Sequence, residues 1–147
     1  MILYLDTSAL VKRYFKEPFS EAVITKWQEA EEIVTSSVAY AEAMAAFYRK
    51  KRATAFDDVL MENIVSNLQA DWSGFIRIRV TDELNQYVDK AIKAYPLRGF
   101  DAIHLASAMI MHEKFPVDFL FVCFDQKLTQ AAQTEGFQTF PVDLANT

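Results

Sequence analysis

The chain has 147 residues, 52% of them apolar and 24% charged, with 3 glycines, 4 prolines and a formal net charge of -5. That length is one domain, residues 1–147, with a core of its own, and so few glycines and prolines leave no room for linkers or low-complexity tracts. No apolar run approaches the ~18 residues of a membrane span, no signal-peptide pattern opens the chain, and the acidic balance weighs against a general nucleic-acid coat protein.

In chain order, ILYL at 2–5 is the first strand-like run, and it stops on Asp6. Thr7 and Ser8 follow at once, and the period turns helical over 8–15 (SALVKRYF) and 20–30 (SEAVITKWQEA). EIVTS at 32–36 is the second strand, followed by helices over 37–51 (SVAYAEAMAAFYRKK) and 55–72 (AFDDVLMENIVSNLQADW). FIRIRV at 75–80 is the third strand, leading to helices over 81–95 and 100–115 that are separated by the turn-like YPLRG. FLFVCF at 119–124 is apolar throughout, as in a strand buried on both faces. Its Cys123 reads as a small core residue, and as the lone cysteine it fits a reducing cytoplasm. A last helix over 125–136 leads to QTFPV at 138–142, a short edge strand because Pro141 has no N–H for a ladder. Strands alternating with helices predict an α/β domain, a parallel sheet of four to five strands covered on both faces.

Open α/β sheets place their sites outside the carboxyl ends of the strands. Asp6 follows the first strand and Asp125 the fourth. Glu42 lies in the first turns of the helix after the second strand, and Asp101 opens a helix after YPLRG. All four can therefore meet at one end of one sheet. Three of them have another use, since Asp6, Asp101 and Asp125 precede helical runs, where aspartate caps the helix or occupies its first turn. Glu42 is different. Its helical neighbours Val38, Ala45 and Ala46 are apolar, so the carboxylate interrupts the core-facing stripe and needs a cation or a metal as partner.

If the four converge, one like-charge pair ~4 Å apart costs about 4 kcal/mol at an effective dielectric near 20. Domain stability is only ~5–15 kcal/mol, so the cluster calls for protons or divalent cations. Oxygen ligands of this kind suit Mg2+ or Mn2+, and Asp6 becomes a metal ligand at the centre of the site.

His104 falls one turn after Asp101 and shares its face. With His112 the only other histidine, the three or four ligands of a zinc site are missing, and a supporting role behind the ligands is expected. RKKR at 49–52 caps a helix C-terminus or meets phosphate. Phosphate-loop, dinucleotide and nucleophile-elbow motifs are absent from the sequence.

The stretches LDTSALVKRYFKEP, SSVAYAEAMAAFYR, LRGFDAIHLASAM and FVCFDQKLTQAAQTEGF resemble the PIN-domain family, and within it the VapC toxins of type II toxin–antitoxin (VapBC) pairs. The likeness runs from Met1 to about Val142. It implies a three-layer α/β/α fold with a mostly parallel sheet, and a Mg2+- or Mn2+-dependent endoribonuclease that hydrolyses RNA phosphodiester bonds and inhibits translation. It also implies Asp6, Glu42 and Asp101 as principal metal ligands, with Asp125 completing the shell or orienting water, and Thr7 or Ser8 as the polar partner beside the first acid. Many relatives carry Ser or Thr where this chain has Cys123, so a weaker hydrogen-bonding group stands there. Lys12, Arg13 and Arg98 are candidates for RNA phosphate contacts.

A cognate VapB-like antitoxin is the implied partner. A homodimer is expected from the family and from an apolar surplus over 37–52 and 54–72 (Tyr40, Met44, Phe47, Phe56, Leu60, Met61, Ile64). Two other readings of the acids fit less well. A Mg2+-dependent phosphatase of the haloacid-dehalogenase type needs a second aspartate where Ser8 stands. A receiver-like signalling module expects two acids at the end of the first strand and leaves Glu42 unexplained.

Overall fold

Alternation along the central strands sets the layers. The computed structural model describes residues 1–143. Among these residues five strands run parallel: β1 (Ile2–Leu5), β2 (Glu32–Ser36), β3 (Ile76–Ile78), β4 (Phe119–Val122) and β5 (Gln138–Phe140). Their order in the sheet is β3-β2-β1-β4-β5, and Tyr4 of β1 stands opposite Val34 of β2 and Phe121 of β4. Successive side chains of a strand point to opposite faces. Leu3 and Leu5 therefore enter one core, with Leu10, Phe47, Leu68 and Val122. Tyr4 enters the other, with Leu105, Phe121, Cys123 and Leu128.

The first core is roofed by α1 (Thr7–Leu10), α2 (Ser20–Glu29), α3 (Ala39–Thr54) and α4 (Asp58–Trp72). The second is roofed by α5 (Asp82–Ala94), α6 (Gly99–Lys114) and α7 (Gln126–Thr134). The result is the three-layer α/β/α architecture with a parallel central sheet. No helix of the described residues is long and apolar enough to cross a membrane.

Boundaries differ from expectation where the chain is locally interrupted. The run 8–15 is not one helix, because α1 ends at Leu10 and tightens into a 3-10 turn over Val11–Arg13. The run 55–72 starts late: Ala55 closes α3 in the left-handed region (φ 54°), and Asp57 caps α4 by accepting from Leu60 N at 2.8 Å. β3 keeps only three of six expected residues. It is an edge strand paired with β2 alone, and Ile76 and Val80 are exposed. β5 is the other edge, as expected of a strand ending at a proline.

The apolar surplus on the two helices after β2 is smaller than the sequence implies. Phe47, Met61 and Ile64 are buried in the chain's own core, with Tyr40, Met44 and Phe56 packed against it, and Leu60 alone of the seven is exposed.

Candidate active site

β1 lies at the middle of the sheet, with β2 and β3 on one side and β4 and β5 on the other. The strand order reverses between β1 and β4, and the crevice beyond the carboxyl ends of such a pair is where open parallel sheets take ligands. Asp6 and Asp125 flank it. The Asp6 amide donates to Val122 O at 3.2 Å and carries the β1–β4 pairing one residue further.

The Asp6 side chain is 97% buried by the strands' ends, at 3% exposure, and is held by local donors. Ala9 N donates to Oδ1 at 3.0 Å, the Ser8 hydroxyl lies 2.7 and 2.9 Å from the two oxygens, and the Cys123 thiol donates to Oδ2 at 3.3 Å. Ser8 Oγ also accepts from Phe124 N at 2.9 Å, which ties the end of β4 to the start of α1. Burial pushes the Asp6 carboxyl above its ordinary range, and His104, Ser8, Ala9 and Cys123 pull it back only part of the way. Burial also drives the Cys123 thiol far up, so it stays a protonated donor to Asp6 while accepting from Asp125 N at 3.3 Å.

Glu42 stands in the first turn of α3. Its Oε1 accepts from Thr7 Oγ1 at 2.7 Å and from His104 Nε2 at 2.9 Å. Burial raises its carboxyl, but the bonds to His104 and Thr7 outweigh this, and the group lies below its ordinary range. The partner that the apolar stripe demanded is thus a histidine and a threonine. Of the two hydroxyls after Asp6, Ser8 serves Asp6 and Thr7 serves Glu42.

Asp125 caps α7, its Oδ1 accepting from Leu128 N at 2.8 Å. Asp101 lies in the first turn of α6 but does not cap it: the cap position is Arg98, and the Asp101 side chain makes no hydrogen bond among the described residues. Burial raises the Asp101 carboxyl first, Asp125 and Asp6 raise it further, His104 opposes them, and Glu42 adds a smaller push. The four acids therefore share one electrostatic neighbourhood. No lysine or arginine pairs with any of them among the described residues. As placed, no three His, Cys, Asp or Glu side chains of the described residues stand close enough together to enclose a metal ion. The chemistry of the donors, carboxylate oxygens with no lysine or arginine partner, fits a hard divalent cation.

The basic residues divide differently from expectation. Lys12 pairs with Glu17 at 3.0 Å, which Lys50 also meets at 2.8 Å, and Arg13 lies 3.7 Å from Asp71 and over the Trp27 ring. The 3-10 turn sends Lys12 to the loop before α2 and over the Phe124 ring, and Arg13 to α2 and α4, whereas Arg98 at the head of α6 is exposed. Thr7, Ser8 and Glu42 line a groove of about 500 Å3 together with Arg49 and Phe100. Arg49 opens the RKKR run, and it stands two helical turns after Glu42 on α3. Phe100 directly precedes Asp101 and is 56% exposed, and nothing in the apolar pattern marks it as outward-facing.

Comparison with known proteins places these observations in a family. The PIN domain model matches residues 3–133. The chain is similar to Ribonuclease VapC46 of Mycobacterium tuberculosis (strain ATCC 25618 / H37Rv), 31% identical over 143 residues that cover 91% of this chain and 92% of the relative. Its fold is similar to that of FitAcB from Neisseria gonorrhoeae, with a TM-score of 0.66 at 15% identity over 97% and 98% of the two chains. A toxin–antitoxin complex from Klebsiella pneumoniae contains a chain with a TM-score of 0.62, again at 15% identity, over 85% of this chain and 88% of that one.

Proposed function

The chain belongs to the PIN-domain family, and on that footing we propose that it is an endoribonuclease dependent on Mg2+ or Mn2+, acting as the toxin of a VapBC-type toxin–antitoxin pair. The observation that carries this reading is that Asp6 and Asp125 follow β1 and β4, Glu42 is bonded to Thr7 beside Asp6, and Asp101 feels the charge of all three, with no lysine or arginine partner among the described residues. The resemblance to a ribonuclease across nine-tenths of the chain supports it.

Asp6, Glu42 and Asp101 are the residues to hold the cation, with Asp125 beside them. A cation held there would supply an acidified water and offset charge on the phosphate. The residues themselves do the rest. Hydrogen bonds from Ser8, Ala9 and Cys123 favour the ionised form of Asp6 against the pull of burial. Thr7 and His104 do the same for Glu42. Arg49 and Arg98 offer positive charge to the phosphates flanking the cleaved bond. The groove beside Phe100 is of a size for a single unpaired nucleotide, whose base can stack on an exposed ring.

A cognate antitoxin would act at the same place. An acidic cluster without a cation of its own invites a basic side chain, and an arginine from the antitoxin, paired bidentately with two carboxylates, would stand where the metal is needed. An antitoxin that inhibits with no basic residue in its contacting segment contradicts this mode. Self-association belongs to the same proposal. The large apolar side chains left exposed on α3 and α4 are Tyr48, Val59 and Leu60, and light scattering at micromolar concentration reads whether they join two copies.

The deciding experiment incubates the purified chain with total RNA in Mg2+, in Mn2+ and in excess chelator, beside Asp6→Asn prepared identically. Cleavage is expected with either metal, and neither in chelator nor from the variant. Cleavage that survives in chelator, or in Asp6→Asn, retires the reading.

A further inference from the structure

Glu42 is held through one oxygen only, and the hold traces back to the central strand. Tyr4, in the middle of β1, is wholly buried. Its ring stacks on Phe121 (centroids 5.2 Å apart, planes 2° apart) and meets His104 edge-on at 5.9 Å. Its hydroxyl lies 2.9 Å from His104 Nδ1. Phenylalanine would fill this space without a polar atom to satisfy, so what the hydroxyl adds is its hydrogen bonding. His104, 1% exposed, extends from α6 with Nε2 at 2.9 Å from Glu42 Oε1 and 3.3 Å from Thr7 Oγ1. A carboxylate oxygen can only accept, so Nε2 carries the proton of this contact. The Thr7 hydroxyl donates to the same Oε1 at 2.7 Å. Oε1 is thus doubly occupied, while Oε2 accepts no hydrogen bond among the described residues.

We propose that Tyr4 and His104 form a positioning relay that fixes Glu42, so that this residue meets a divalent cation through Oε2 alone. The inference rests on the metal-site reading above and deepens it. Glutamate has three rotatable side-chain bonds, and α3 has no side-chain cap at its start to order that turn. Two donors converging on Oε1 fix the carboxylate's position and its rotation together. Thr7 is anchored one residue past Asp6, and His104 is anchored by a strand residue locked into the core. The metal-facing oxygen of Glu42 is therefore referenced to β1, the strand that ends on Asp6. Groups that orient a metal ligand from behind characteristically change metal affinity or activity by about 10–100-fold when removed.

The test uses the full chain and three variants: Tyr4→Phe, His104→Leu and His104→Gln. Nitrogen-15 histidine NMR of the metal-free parent should show a proton on His104 Nε2 that exchanges slowly with solvent. Mn2+ titration followed by electron paramagnetic resonance should show binding weakened about 10–100-fold in His104→Leu. Single-turnover cleavage should fall with it at nearly unchanged KM. His104→Gln, whose amide N–H replaces the imidazole Nε2–H, should recover most of both losses. Tyr4→Phe keeps the ring stack and should lose Mn2+ affinity in the same direction by a smaller factor. It carries the measurement should His104→Leu fail to fold.

Parent-like Mn2+ affinity in folded His104→Leu or Tyr4→Phe overturns the relay, as does an unprotonated Nε2, or a His104→Gln no better than His104→Leu. A parent that binds no Mn2+ while Nε2–H is in place retires the metal reading and this inference together, an outcome distinct from the other three.

Discussion

Replacing Asp101 with asparagine should abolish cleavage and at the same time stabilise the metal-free protein. The substitution keeps the shape of the side chain, which makes no hydrogen bond among the described residues that could be lost. What disappears is one negative charge that burial, Asp125, Asp6 and Glu42 disfavour and that His104 partly supports. A unit charge about 8 Å away costs about 2 kcal/mol at an effective dielectric near 20, and solvent at a half-buried carboxyl reduces each such contribution severalfold. Against the relief stands the first-turn helix dipole, which favours the charge by about 0.3–1 kcal/mol. A net gain of about 1 kcal/mol remains, a rise of about 2–4 °C in Tm for a chain of this size.

The pH dependence fixes the sign of this argument. A carboxyl raised in the native state costs stability that begins to accrue as pH passes the unfolded value near 3.9 and is complete above its native pKa. The Tm difference between Asp101→Asn and parent in excess chelator should therefore be absent at acid pH, open as pH rises above about 4, and level off by neutrality. A lower Tm for the variant at pH 7 would refute the repulsion argument, and unchanged cleavage in Mg2+ would remove Asp101 from the site.

Three further outcomes are expected. Mg2+ or Mn2+ at a hundred times its Kd should stabilise the parent by about 2.7 kcal/mol and leave Asp6→Asn unmoved, read as thermal shifts against chelator. Ser8→Ala leaves Phe124 N without its acceptor and Asp6 without its hydroxyl donor, which should lower the urea midpoint by the equivalent of about 1–3 kcal/mol at constant m-value; a parent-like midpoint counts against that role. Arg49→Ala should raise KM at constant kcat and reduce the salt dependence of RNA binding by about one counterion, whereas an unchanged salt slope places phosphate elsewhere.

The layers, the parallel sheet and the positions of the acids follow from local pattern, because strand period, helix period and the strand-to-helix junction are all properties of neighbouring residues. Asp6 and Asp125 stand where the pattern changes, and that change is visible in a dozen letters. The relay behind Glu42 is not visible in this way. Tyr4 sits inside ILYL as one more apolar letter, and its hydroxyl acquires meaning only from a histidine 100 positions away. His104 could be placed on the face of Asp101, but the same helical argument says nothing of what lies across from that face. Lys12 and Arg13 meet Glu17 and Asp71 for a local reason. A continuous helix from Ser8 to Phe15 would carry them differently from the tightened turn that begins after Leu10. Exposure at the edges was equally hidden, since FIRIRV reads as a full strand although only its middle pairs.

Capping and metal binding, which compete as readings of each aspartate in the sequence, are compatible in the structure. In a parallel sheet every strand's carboxyl end faces the start of the next helix, so a residue that caps that helix stands at the rim of the crevice where ligands bind. A carboxylate has two oxygens, and a cap needs one. Asp125 gives Oδ1 to Leu128 N, and its Oδ2 accepts nothing among the described residues. Glu42 divides its oxygens in the same way between the Thr7–His104 pair and an open Oε2. Asp6 is engaged at both oxygens, Oδ1 by Ala9 N and the Ser8 hydroxyl, Oδ2 by Ser8 and the weak thiol donor of Cys123. In Asp125 and Glu42 the bond that satisfies the fold also orients the oxygen left for chemistry. Asp101 alone lacks such a bond, so its charge is balanced by position and not by a donor. A change of charge there reads the mutual repulsion of the cluster without also breaking a cap.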